Sequence, residues 1–146
     1  MTNGLTSEIA KVNPLLREHT IYKVSRERVP SVTTLLALIN LDSKYQKLMG
    51  WQLKTIRAGL DPNAVSKDAA TVGTLAHALI REHLVGIQVD LSYFSSDEIK
   101  RAKKVLKAYK SWEQNKHLQV IDTELSLTHS RLRYGGTIDL LCKLNG

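Results

Sequence analysis

The sequence predicts a mixed α/β fold of the α+β kind, helical through roughly residue 115 and closing on an antiparallel β-hairpin over 118–146. Three features predict it. Val72, Leu75, Ala76, Leu79, Ile80 and Leu84 recur at helical period. Ile99, Ala102, Val105, Leu106, Tyr109 and Trp112 form a second such stripe. From Leu118 the period falls to two, with Ile121, Thr123, Leu125 and Leu127 alternating against Asp122, Glu124 and Ser126.

In chain order, residues 1–15 are mostly polar, which predicts a flexible N-terminus. A short strand is expected over Ile21–Val24. It stops at Val29-Pro30-Ser31, because Pro30 holds the preceding residue extended. Ser31 suits the N-cap of a first helix carrying Val32, Leu35, Leu36 and Ile39. A second helix is expected over 43–58, with Leu48, Trp51, Leu53 and Ile56 facing inward, ended by Gly59 and Asp61-Pro62. The third runs from about Ser66 to Val85, with Gly86 as its terminator. The fourth starts at Ser95 or Ser96, and Asp97 and Glu98 complement its positive first turn. Lys100, Lys103, Lys104, Lys107 and Lys110 fall on the side opposite its apolar stripe at about 100° per residue. In the hairpin, His129-Ser130-Arg131 reads as the turn and the second strand runs from Arg133 to about Leu144. Asn145-Gly146 is a hairpin-turn signal that leads toward a further strand. All of this fits one domain.

A chain of 146 residues can bury a sufficient core without a disulfide or structural metal. Lys and Arg total 21 against 14 Asp and Glu, a net +7 that favours a polyanionic partner through counterion release. Cys142 is the single cysteine, so an intramolecular disulfide and a thiolate cluster are both excluded, as suits a reducing cytoplasm. No apolar signal core follows Met1, and the longest apolar run, Leu35–Ile39, is too short to cross a bilayer. The expected location is cytoplasmic, with no membrane partner.

The chemistry concentrates in the hairpin. Pairing symmetric about Ser130-Arg131 sets Asp122 opposite Asp139 and Glu124 opposite Thr137, with the three acids on one face. Facing like charges destabilise a hairpin, so a positive neighbour is expected, either Lys143 or a divalent metal; a solvated acidic face is the alternative. Gly135-Gly136 within the strand points to a bulge or to close approach by another backbone, nucleic acid being a candidate. His77 sits at the edge of the third helix's apolar stripe with Arg81 one turn on. It either points into a cleft or is a satisfied boundary histidine.

Four segments in order carry a resemblance: Val29-Pro30-Ser31-Val32-Thr33-Thr34-Leu35-Leu36, Gly73-Thr74-Leu75-Ala76-His77, Glu124 in its strand, and Tyr134-Gly135-Gly136-Thr137-Ile138-Asp139-Leu140-Leu141. Over residues 20–146 the chain resembles the RecB-type, phage-exonuclease-like branch of the PD-(D/E)XK nuclease superfamily. The resemblance implies an incomplete restriction-endonuclease-like core and metal-dependent cleavage of DNA in recombination or repair. It implies Mg²⁺ or Mn²⁺ held by His77 and Asp139, with Glu124 and Asp139 as the catalytic acids. Arg81 and the lysines at 100, 103, 104, 107 and 110 are the expected DNA-binding residues.

The chain departs from the family pattern twice. Arg81 stands where many relatives carry a Glu, and Glu82 lies about 140° around the helix from His77. No Asp/Glu-X-Lys motif follows Asp139. Without that strand and its lysine, weak metal binding and little turnover are expected. An inactive binding module of nuclease fold is therefore the competing reading, and an unrelated structural protein is the third.

Overall fold

The computed structural model describes residues 11–16, 20–39 and 41–145. The expected flexible terminus lies largely outside these residues, as does Gly146 of the Asn145-Gly146 signal. The chain forms two compact units. One contains Met1–Arg17 with Asp68–Gln114, the other Glu18–Lys67 with Asn115–Gly146. The architecture is mixed, with four α-helices and two two-stranded antiparallel sheets among the described residues.

In the second unit, β1 (Lys23–Val24) pairs with β2 (Glu27–Arg28). The strand expected over Ile21–Val24 is thus shorter, and it turns back at once instead of running to Pro30. Ser25 and Arg26 make that turn with positive φ, 50° and 71°. Neither is Gly, Asn or Asp, so the usual hairpin signal is missing. Val24 and Val29, on either side of it in the chain, are buried. α1 (Val32–Ile39) follows, capped as expected: Thr34 N donates to Ser31 Oγ at 3.1 Å.

α2 (Leu41–Arg57) begins close to where it was expected but does not bury the expected face. Leu48, Trp51, Leu53 and Ile56 are all exposed, and Thr55 is the buried residue of this helix among those described. Helical spacing reveals which residues share a face; whether anything covers that face is a tertiary matter.

α3 (Pro62–Val85) starts four residues earlier than the apolar stripe suggested. Asp61-Pro62 ends one helix and also starts the next. Asp61 Oδ1 accepts from Asn63 N at 2.9 Å, and Pro62 takes the first helical position, where its missing N–H costs nothing.

In the first unit, the C-terminal part of α3 packs against α4 (Ser96–Glu113). Leu75, Ala76, Leu79 and Ala102 are buried with Phe94, and Val72, Val89, Leu91, Ile99 and Leu106 close around them. Phe94, the one phenylalanine of the chain, was not expected in this core. Of the α4 stripe, Val105 and Trp112 are exposed, because the α3 contact covers only the Ile99–Ala102–Leu106 side. Ser95 caps α4 in a reciprocal box with Glu98.

The long hairpin, β3 (His117–His129) with β4 (Tyr134–Asn145), belongs to the second unit and has a different register from the symmetric one. The turn takes four residues, 130–133. Arg133 N donates to His129 O at 2.8 Å, Leu132 N donates to His129 Nδ1 at 3.1 Å, and Arg133 adopts φ 54°. Moving the centre of the turn by one residue moves every opposition by two. Asp122 therefore faces Leu141 instead of Asp139, and Thr137 faces Ser126 instead of Glu124. An irregularity between Val120 and Asp122 shifts the pairing again toward the strand's beginning.

Candidate functional site

Two of the segments behind the family resemblance meet inside one unit. Gly135 N donates to Pro30 O at 3.0 Å, and Ser31 forms a parallel bridge with Gly135. A Cβ on Gly136 would stand 3.3 Å from Val32 Cγ1, and one on Gly135 would overlap the Tyr22 side chain. The partner that approaches the glycine pair is thus the chain's own Tyr22 and Pro30-Ser31. This replaces the expectation of nucleic acid at that spot. Glycine is required at 135 because the aromatic ring occupies the space a side chain would need.

The new register brings Glu124 and Asp139 together in level. Thr123 pairs with Leu140 and Leu125 with Ile138, which puts Glu124 and Asp139 at the same level between these two pairs. Two rungs on, Ser126 Oγ and Thr137 Oγ1 are 3.2 Å apart, and Tyr22 Oη lies 2.8 Å from the same Thr137 oxygen. Asp139 is exposed; Glu124 is half-buried with its Oε2 closed off from solvent. Glu124 has φ 63°, a left-handed backbone in the middle of a strand. Asp122 is exposed, and its Oδ1 accepts from Thr123 N at 2.7 Å. Two carboxylates at one level offer hard oxygen donors, the set that suits Mg²⁺ or Mn²⁺.

Tyr22 was not singled out from the sequence. The signal was an aromatic next to a short strand together with a later Gly-Gly inside another strand, since aromatic rings commonly cover strand glycines. Arg133 also escaped notice; its guanidinium pairs with the Glu27 carboxylate and ties the long hairpin's turn to β2.

The other candidates lie in the first unit. His77 is exposed on α3, and Arg81, one turn on, is half-buried. Lys100, Lys103, Lys104, Lys107 and Lys110 are all exposed on α4. Among the described residues, no group of three or more His, Cys, Asp and Glu side chains is already gathered as a metal site. No described helix is long and apolar enough to cross a membrane.

No family model, curated protein or solved structure matches the chain.

Proposed function

We propose that the chain has the fold and chemistry of a metal-dependent DNA nuclease of the PD-(D/E)XK kind, with a restriction-endonuclease-like core. The supporting observation is the level shared by Glu124 and Asp139, beside the packed Pro30-Ser31 and Gly135-Gly136 segments. Asp139 is the proposed metal ligand and catalytic acid, and Glu124 the acid beside it. Arg81 is carried over from the resemblance as a phosphate contact. Bound Mg²⁺ or Mn²⁺ supplies water activation and neutralises charge developing on the scissile phosphate. The protein's part is to hold two carboxylates at one level of the hairpin, where they also orient the water.

A second reading, a binding module that does not cut, is favoured by the exposed lysines of α4, which can hold a polyanion without a catalytic group.

The decisive experiment titrates the full chain with Mn²⁺ and follows paramagnetic broadening of its amide signals by NMR. Broadening centred on Glu124 and Asp139, abolished in Glu124→Gln and Asp139→Asn, supports the metal site. Linear duplex DNA is then assayed for cleavage with Mg²⁺ and Mn²⁺. Metal binding with slow cleavage is the expected result. DNA binding with neither broadening nor cleavage selects the binding module.

A further inference from the structure

We propose that the lysine face of α4 is a docking surface for the phosphate backbone of duplex DNA. The proposal shares a partner with the nuclease reading but needs neither the metal nor cleavage.

The argument rests on how α4 distributes its charges. Each of its acids is engaged inside its own unit. Asp97 Oδ2 lies 2.7 Å from Arg101 Nε. Glu98 Oε2 accepts from both Ser95 N and Ser95 Oγ at 2.7 Å. Glu113 Oε2 lies 2.6 Å from His83 Nε2. Arg101, the remaining cation in the body of the helix, is held by Asp68 in a two-bond fork. The five lysines differ from all of these: each is exposed, and among the described residues none forms an ion pair. The acids and the arginine of the helix are thus engaged by partners within the unit, and the five lysines form one cationic face with no ion-pair partner among the described residues.

The dimensions suit a duplex. The five lysines fall within about 120° of arc, and Lys100 to Lys110 spans about 15 Å of helix. A duplex presents one charge per ~1.7 Å, so the same length offers about four phosphates on one strand. Ser96, Ser111 and Gln114 complete this face, so it carries no apolar side chain to enter a lipid interface. A solvated polyanion of fixed charge density is the partner that such a face fits best.

The test measures binding of the full chain to a fluorescent duplex by polarisation, across a salt series in EDTA, so that the outcome does not depend on the metal reading. Lys103→Gln/Lys104→Gln/Lys107→Gln is expected to weaken binding. It should make the slope of log K against log salt shallower by up to about 2.7. Arginine at the same three positions is expected to preserve both. Should the triple variant lose its circular dichroism spectrum, Lys104→Gln and Lys107→Gln are read singly, at about 0.9 of slope each. An unchanged slope in a folded variant overturns the proposal. So does wild-type protein that binds phosphatidylserine vesicles and ignores the duplex.

Discussion

Arg101 and Asp68 meet fork to fork across α3 and α4, Nη1 donating to Oδ2 at 2.8 Å and Nη2 to Oδ1 at 2.5 Å. Two parallel bonds need a planar guanidinium, which an ammonium cannot replace. Arg101→Lys keeps the charge and loses the fork. Its urea midpoint is expected to fall modestly, because both side chains remain largely accessible to water and screening limits the pair. A midpoint equal to wild type shows that the fork contributes nothing to holding the two helices together.

The same fork gives stability a pH dependence. The Arg101 hydrogen bond holds the Asp68 carboxyl below its ordinary 3.8; the Ser92 amide does so for Asp90, and Ser95 holds Glu98 below 4.5. Acids depressed in the folded state stabilise it fully above their unfolded values, and that contribution disappears as pH falls through the lower folded values. The urea midpoint is therefore expected to hold from neutrality to about 4.5 and then decline as the acids protonate. Asp68→Asn should start lower and decline less steeply. Parallel acid limbs in the two proteins remove Asp68 from the explanation.

Gly135 and Gly136 are expected to respond unequally to alanine. At Gly136 the new methyl meets Val32 Cγ1 at 3.3 Å, a contact the side chain can ease by a few tenths of an ångström. At Gly135 it overlaps Tyr22, which is also hydrogen-bonded through its hydroxyl to Thr137. Gly135→Ala should cost about 1–3 kcal/mol, as overpacking usually does, and Gly136→Ala clearly less. Equal losses in chemical denaturation contradict the packing described for Tyr22.

The Ser25-Arg26 turn is open to improvement. Both residues hold positive φ, which side chains with a Cβ adopt at a cost. Ser25→Asn with Arg26→Gly supplies the residues such turns prefer and should stabilise the protein by about 1 kcal/mol. Thermal unfolding measures it, and a lower Tm would show that these side chains make up the difference elsewhere.

Legibility in the sequence varied with the range of the interaction responsible. The helices, the caps at Ser31 and Ser95, and the switch to strands near Leu118 depend on neighbours within a turn or two, so the sequence revealed them. The register of the long hairpin depended on whether Arg133 would accept a left-handed backbone, and residue type gives little hint of that at an arginine. The burial of α2 depended on what lies over it, and Leu48, Trp51 and Ile56 have helical spacing whether covered or bare. For the candidate site, the choice of Glu124 and Asp139 came from motif resemblance. Their position at one level came from a turn length the sequence did not disclose.

Glu124 brings together two properties that are usually separable. A left-handed backbone costs a residue with a Cβ roughly 1–2 kcal/mol, and glycine escapes most of that cost. Glu124→Gly thus relaxes the strand and, in the same exchange, deletes the carboxylate beside Asp139. A selection for heat resistance and a selection for the proposed metal-dependent activity would pull position 124 in opposite directions. If both are run on one library, the residue that survives at 124 reports which demand shaped this strand.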